Sequence, residues 1–189
     1  MNNLTISEKR TGMVLMAAIT CIATMVIRIP TPGGGYVNLG DGFALACGMI
    51  LGPLAGPIAA GTGSALADLI SGYSSIAPAT FVIKAFLATG SAISIRLLAG
   101  RSRTVTFNYI NTAIAGAVGE LIMISGYYIF DVARTIYGNN RLNRSILIQA
   151  LRDSSVELPF NCLQASIGIV IAIIITPLLA RLMSRRNGV

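Results

Sequence analysis

The chain has 189 residues, 54% of them hydrophobic and 11% charged, with a net charge of +7 and no histidine. Soluble domains carry about 25% charged residues, so the solvent around this fold is largely hydrocarbon. The basic residues flank apolar runs with no aromatic or Gly-Arg pattern, which excludes a nucleic-acid partner, and the lack of histidine excludes His-based triads and His-containing zinc sites.

Apolar runs of about 20 residues, enough to cross a hydrocarbon core, recur along the chain. The first follows Glu8-Lys9-Arg10 and superficially resembles a signal peptide, or a lipoprotein site at Ala18-Ile19-Thr20-Cys21. Thr20 fits poorly before such a cysteine, and the run continues to Ile29, so the segment 11–29 is expected to be a retained span. The stretch "IPTPGGGYVNLGDG" (29–42) then interrupts with a polar, glycine-rich loop. It has no Gly-Lys-Ser/Thr ending and leads into Asp41, so it is not a phosphate cradle. Its glycines give mobility and close backbone approach, and over a polar pocket it reads as a lid.

Two short helices, 41–54 and 56–72, are expected next. The spacing Gly48-x3-Gly52-x3-Gly56 with Pro53 and Pro57 predicts close packing and a very tight turn between them. Further spans are predicted at 78–98, 106–130 and 158–182. The connection 131–157 is long, and Ser145 to Ser154 within it has the pattern of a short amphipathic helix lying on the membrane surface. The expected fold is therefore an all-α integral membrane protein, one membrane domain over 1–189 with six transmembrane helices.

Six spans place the N-terminus, the turn at 52–57, the loop 99–105 and the C-terminus on one face. That face holds Lys9, Arg10, Arg96, Arg101, Arg103, Arg181, Arg185 and Arg186 against Glu8 alone, which is the whole net charge of +7. On the other side Arg28, Lys84, Arg134, Arg141, Arg144 and Arg152 balance Asp41, Asp68, Glu120, Asp131, Asp153 and Glu157. The positive-inside rule makes the first face cytoplasmic, with both termini inside, and the connection 131–157 extracellular.

Charged groups within a membrane are expensive and invite functional readings. Lys84, Asp68, Asp41 and Glu120 all fall in the outer half, as do Asn161 and Gln164 at the start of the last span. The inner half is almost purely apolar. Asp41 reads either as a helix N-cap or as a ligand contact. Asp68 and Lys84 either pair with each other or face a ligand. Glu120, about 15 Å deep, has no obvious mate; it is either a protonated structural group or ligand-facing. Tyr127 and Tyr128 are interface aromatics, one of which can turn inward as a stacking platform. Cys21, Cys47 and Cys162 lie in apolar segments with no metal spacing, so no metal site is expected.

Together these features resemble the substrate-binding S component of an energy-coupling factor (ECF) vitamin transporter, over Met13 to Arg186. The resemblance is carried by "IPTPGGGYVNLGDG", "GPLAGPIAAGTGSALADLISGY" followed by "APATFVIKA", "GYYIF" and "ELPFNCLQASIG". It implies a prokaryotic plasma-membrane protein that captures a small vitamin or precursor outside. Its implied partners are a membrane coupling subunit and two cytoplasmic ABC-type ATPases, which use the ATP and magnesium; this chain carries no cofactor and is no enzyme. The resemblance places ligand contacts at Asn38, Lys84, Glu120, Tyr127, Asn161 and Gln164, and partner docking on small residues of the first helix, Ala17 and Cys21. It is most similar to members assigned to pyridoxine or hydroxymethylpyrimidine, with riboflavin as the alternative. A self-sufficient secondary transporter would need a polar path through both halves, and a magnesium-dependent lipid enzyme would need a clustered acidic motif. This chain shows neither.

Overall fold

A computed structural model describes residues 6–100, 107–139 and 143–185. Arg101, Arg103, Arg141 and Arg186, four of the charges used above for orientation, lie outside the described residues, as does most of the expected loop 99–105. The elements run α1 (Ile6–Val26), β1 (Arg28–Pro30), β2 (Tyr36–Asn38), α2 (Gly40–Ile70), α3 (Ala77–Ala99), α4 (Tyr109–Gly138), α5 (Arg144–Ser155) and α6 (Leu158–Arg185).

The glycine-rich loop is more ordered than expected. It forms an antiparallel hairpin with Arg28 opposite Asn38, Ile29 opposite Val37 and Pro30 opposite Tyr36. The tip is closed by Thr31 N–H to Gly35 O at 3.0 Å and Gly34 N–H to Thr31 O at 3.1 Å. Gly34 takes φ 84°, a left-handed conformation that glycine adopts at no steric cost. Extended backbone at Tyr36-Val37-Asn38 and the fixed φ of Pro30 favour pairing over a flexible coil, so the all-α expectation is corrected by this one hairpin.

α2 is the centre of the bundle, touching α1, α3 and α6, and α6 also packs on α4. It is broken at Gly52, whose φ of 87° and ψ of −176° are not helical. A Cβ on Gly56 would lie 2.6 Å from the Cys47 carbonyl oxygen. Nine residues of straight helix would separate these positions by about 13 Å, so the two halves fold back on each other as the glycine spacing predicted. The Arg96 guanidinium of α3 lies against the break at Gly52, where a cation suits the carbonyl end of the first half-helix.

α4 extends beyond the expected end at 130, carrying Asp131 and Arg134 on its last turns; the long connection is correspondingly shorter. The expected surface helix is present as α5, capped by Asn143, whose side chain accepts from Ile146 N–H at 2.9 Å.

By length and composition, the helical stretches Gly40–Ile70, Ala77–Ala99, Tyr109–Gly138 and Arg144–Met183 can each cross a membrane, and α1 adds a shorter apolar stretch. The exterior agrees: Leu54 is 84% exposed and Leu97 75%, while Asp41 and Ser91 are 0%. Apolar outside and polar inside is the arrangement hydrocarbon demands. The buried polar groups are concentrated at the hairpin end. Away from it stand isolated groups such as the buried Thr112 and Thr176 hydroxyls.

Close helix contact depends on Gly48, where a Cβ would lie 2.0 Å from the Ala88 carbonyl oxygen. Gly48→Ala is expected to cost about 1–3 kcal/mol by overpacking. Gly138→Ala, with nothing within 4 Å, should leave the detergent-solubilised melting temperature essentially unchanged. Equal melting temperatures for the two variants would contradict this packing.

Candidate functional site

The polar groups of the hairpin end converge because six elements meet there: the end of α1, the hairpin, both ends of α2, the starts of α3 and α6, and the end of α4. Lys84 and Asp41 form a fully buried ion pair across α3 and α2. The second Asp41 oxygen accepts from Gln164 Nε2 at 2.8 Å. Gln164 Oε1 in turn accepts from the Asn38 backbone N–H at 2.8 Å and its Nδ2 at 3.2 Å. Asn38 Oδ1 completes the chain by accepting from Gly40 N–H at 2.8 Å, at the start of α2.

Two sequence readings are corrected by this network. Asp41 is not the N-cap of α2: Leu39 holds that place without a side-chain cap, and Asn38 serves the first amide while Asp41 turns inward. Lys84 pairs with Asp41 and not with Asp68, because the closely packed start of α2 brings the nearer carboxylate to it. Asp68 instead accepts from the hydroxyl of Tyr36 on β2. Tyr36 also packs against Tyr73 in a tilted ring contact, with centroids 4.8 Å apart. Burial, then the Asp68 carboxylate, push the Tyr36 phenol up, so it remains a donor at any ordinary pH.

Above the ion pair lies a cleft of about 680 Å³, its open mouth included. Asn38, Lys84, Tyr127, Asn161 and Gln164 line it, five of the six positions singled out from sequence as ligand contacts. The Lys84 ammonium sits 5.3 Å from the centroid of the Tyr127 ring, and Tyr127 donates to Thr80 Oγ1 at 3.3 Å. Tyr128 points the other way, its hydroxyl 3.4 Å from the Leu151 carbonyl of α5. Of the tyrosine pair, Tyr127 is thus the inward ring.

Glu120 is absent from the cleft walls. It is 2% exposed, and neither carboxyl oxygen has a hydrogen-bond partner among the described residues. It lies a layer deeper, against Gly168, where a Cβ would come within 2.5 Å of Oε1 and 3.0 Å of the Asp41 Cβ. Glu120 is thus the one of the six expected contacts that does not line the cleft, and it packs beside Asp41 instead.

Thr31, Ser64 and Asp68 are among the wall residues that were not expected contacts. Their Oγ1, Oγ and Oδ2 atoms are buried without a partner among the described residues. Asp68 carried the signal of an intramembrane charge. Ser64 and Thr31 carried none, since a lone hydroxyl in an apolar helix or loop looks like packing. Phe130, Asp131, Arg134 and Glu157 form the rim. The hairpin tip is held there from both sides: Gly33 N–H donates to the Glu157 carboxylate, and Arg134 Nη2 donates to Gly33 O at 3.0 Å.

Among the described residues no three His, Cys, Asp or Glu side chains are grouped for a metal ion. Ala17 and Cys21, the expected docking pair, are half-buried on α1. The Ala17 carbonyl abuts Gly63 of α2, and the outward ridge beside them is Val14, Ile22 and Val26, each more than 60% exposed.

The family model described as "ECF-type riboflavin transporter, S component" matches residues 8–181. The chain belongs to this family of S components. A solved protein described as "Structure and mechanism of the S component of a bacterial ECF transporter" covers 98% of this chain and 100% of its own, with TM-score 0.61 at 22% identity. At that identity the likeness shows the fold. A protein of Pyrococcus woesei described as "Uncharacterized protein in gap 3'region" is 37% identical over 118 residues, 62% of this chain and 72% of that relative. An S component captures a vitamin for an ECF transporter; it is a transport subunit of the cell membrane and not an enzyme. The membrane placement agrees with the long apolar helices above.

Breaking one side of the buried ion pair strands a charge, at a cost of about 3–5 kcal/mol. Lys84→Met and Asp41→Asn should each destabilise the S component on that scale in denaturant unfolding. The double variant should lose clearly less than the two losses added. Simple additivity would mean that the two charges do not depend on each other.

Proposed function

We propose that this S component captures a neutral, flat, hydroxyl-bearing vitamin in the hairpin-end cleft, with riboflavin as the leading candidate. The observation that carries this reading is the set of unpartnered Thr31, Ser64 and Asp68 oxygens in a cleft walled by Tyr36, Tyr127 and Phe130. Buried polar atoms are normally hydrogen-bonded, so hydroxyl and ring N–H groups of a ligand are the partners they lack. The aromatic walls suit a flat ring. The Asn38 and Gln164 amides are consumed by the network beneath and position the floor, whereas the half-buried Asn161 amide is open to the cleft. Riboflavin takes the lead from the description of the matching family. The same acceptors would hold a pyridoxine or hydroxymethylpyrimidine ligand, the expectation from sequence.

The wider reading supposes six spans, counting the halves of α2 separately, with both termini cytoplasmic and the cleft facing outward. The hairpin closes over the captured molecule. A membrane coupling subunit docks along α1 beside Ala17 and Cys21, and two ABC-type ATPases hydrolyse ATP with magnesium to drive delivery.

Titration of the purified protein with riboflavin, followed by quenching of flavin fluorescence, tests the substrate, with pyridoxine and hydroxymethylpyrimidine titrated by calorimetry. Saturable riboflavin binding is expected. Ser64→Ala and Asp68→Asn should each weaken it about tenfold, the loss of one hydrogen bond, without moving the melting temperature of the free protein. Affinity unchanged in both variants would remove the cleft as the site.

A further inference from the structure

A run of glycines whose backbone N–H groups converge is a ready anion site, and a phosphate ester is the commonest anion attached to a vitamin-like ring. In this structure the Gly33 and Gly34 N–H groups at the hairpin tip, which could otherwise serve an anion, are already taken by the chain itself. Gly33 N–H donates to the Glu157 carboxylate, and Gly34 N–H donates to the Thr31 carbonyl at 3.1 Å. The cations are committed as well. Lys84 and Arg134 are the cations lining the cleft among the described residues. Lys84 is in contact with Asp41, and Arg134 lies 3.4 Å from Asp131. Two further carboxylates, Asp68 and Glu157, face the cleft with no cation paired to them among the described residues.

A phosphate dianion entering this cleft would find both cations and the Gly33 and Gly34 N–H groups engaged, only neutral donors such as the Ser64 hydroxyl open, and uncompensated negative charge on two walls. Specificity of this kind comes from repulsion built against the wrong ligand. We propose that the cleft selects the unesterified vitamin and rejects its phosphate ester, with Glu157 acting as a built-in occupant of the anion site. The inference rests on the reading of the cleft as the vitamin site.

The test compares riboflavin with its phosphate ester, and pyridoxine with its phosphate ester, by equilibrium titration of the purified S component. In whichever pair binds, the ester is expected to bind at least about 100-fold more weakly, since like charges facing in a desolvated site cost several kcal/mol. An ester bound within tenfold of its parent overturns the inference and leaves the vitamin reading standing. Failure of both parents to bind overturns the vitamin reading, and the inference with it. Glu157→Gln keeps an acceptor for Gly33 N–H and removes the charge, so it should narrow the ratio about tenfold or more. Asp131→Asn, which leaves the Arg134 charge without its carboxylate partner, should narrow it in the same direction. Ratios unchanged in both variants would show that these carboxylates do not set the discrimination.

Discussion

The structure depends on one buried ion pair. Moving two charges out of water costs several kcal/mol per ion, and their attraction offsets this only at short range with the remaining valences satisfied. Here the Lys84 ammonium touches one Asp41 oxygen, Gln164 supplies a donor to the other, and the Tyr127 ring covers the cation. Each contact comes from a different element. The pair thereby ties α2, α3, α4 and α6 into one floor, and Asn38 links the hairpin to it through Gln164. Without the close approach of those elements the charges could not be buried, and without the charges the cleft would lose its polar floor.

That close approach is made by small residues. A Cβ on Gly42 would meet Ile171 at 2.4 Å, and one on Gly168 would meet the Glu120 carboxyl at 2.5 Å. In lipid there is no hydrophobic force between helices, so association relies on van der Waals contact between smooth surfaces. Glycines on α2 and α6 supply that surface and deliver Asp41 to Gln164. The same contact leaves Glu120 beside the pair, on the far side from the cleft. Packing and polarity are here one arrangement.

Much of this could be read from the residues alone, for identifiable reasons. An intramembrane lysine or carboxylate announces itself against apolar neighbours, so Lys84, Asp41, Asp68 and Glu120 were all visible. The break near Gly52 followed from glycine and proline spacing. Pair identity was not visible: Asp41 and Asp68 are both within reach of Lys84 in a bundle of unknown rotation, and only the packing of α2 decides between them. Helix phase likewise separates Tyr127 from Tyr128, adjacent residues with opposite directions. The hairpin is not legible in the sequence because its strands are three residues each, too short for an alternating pattern. Ser64 became a candidate only once its hydroxyl was seen to be buried and unpartnered.

The distribution of these contacts also says which part of the molecule yields first. Local opening is cheapest where few buried contacts are lost. At the rim, the hairpin tip is held by Glu157 and by Arg134, whose side chain is 46% exposed; water can replace that bond at little cost. At the floor, the Lys84–Asp41 pair is sealed from solvent, and separating it would strand both charges. Opening the cleft by lifting the tip therefore costs far less than opening it by parting the helices. Strand β2 limits the travel, since Tyr36 is anchored on Asp68 and Tyr73 while Asn38 is anchored on Gln164. The segment that yields most readily is thus residues 31–35, and the bundle beneath them is built to stay whole.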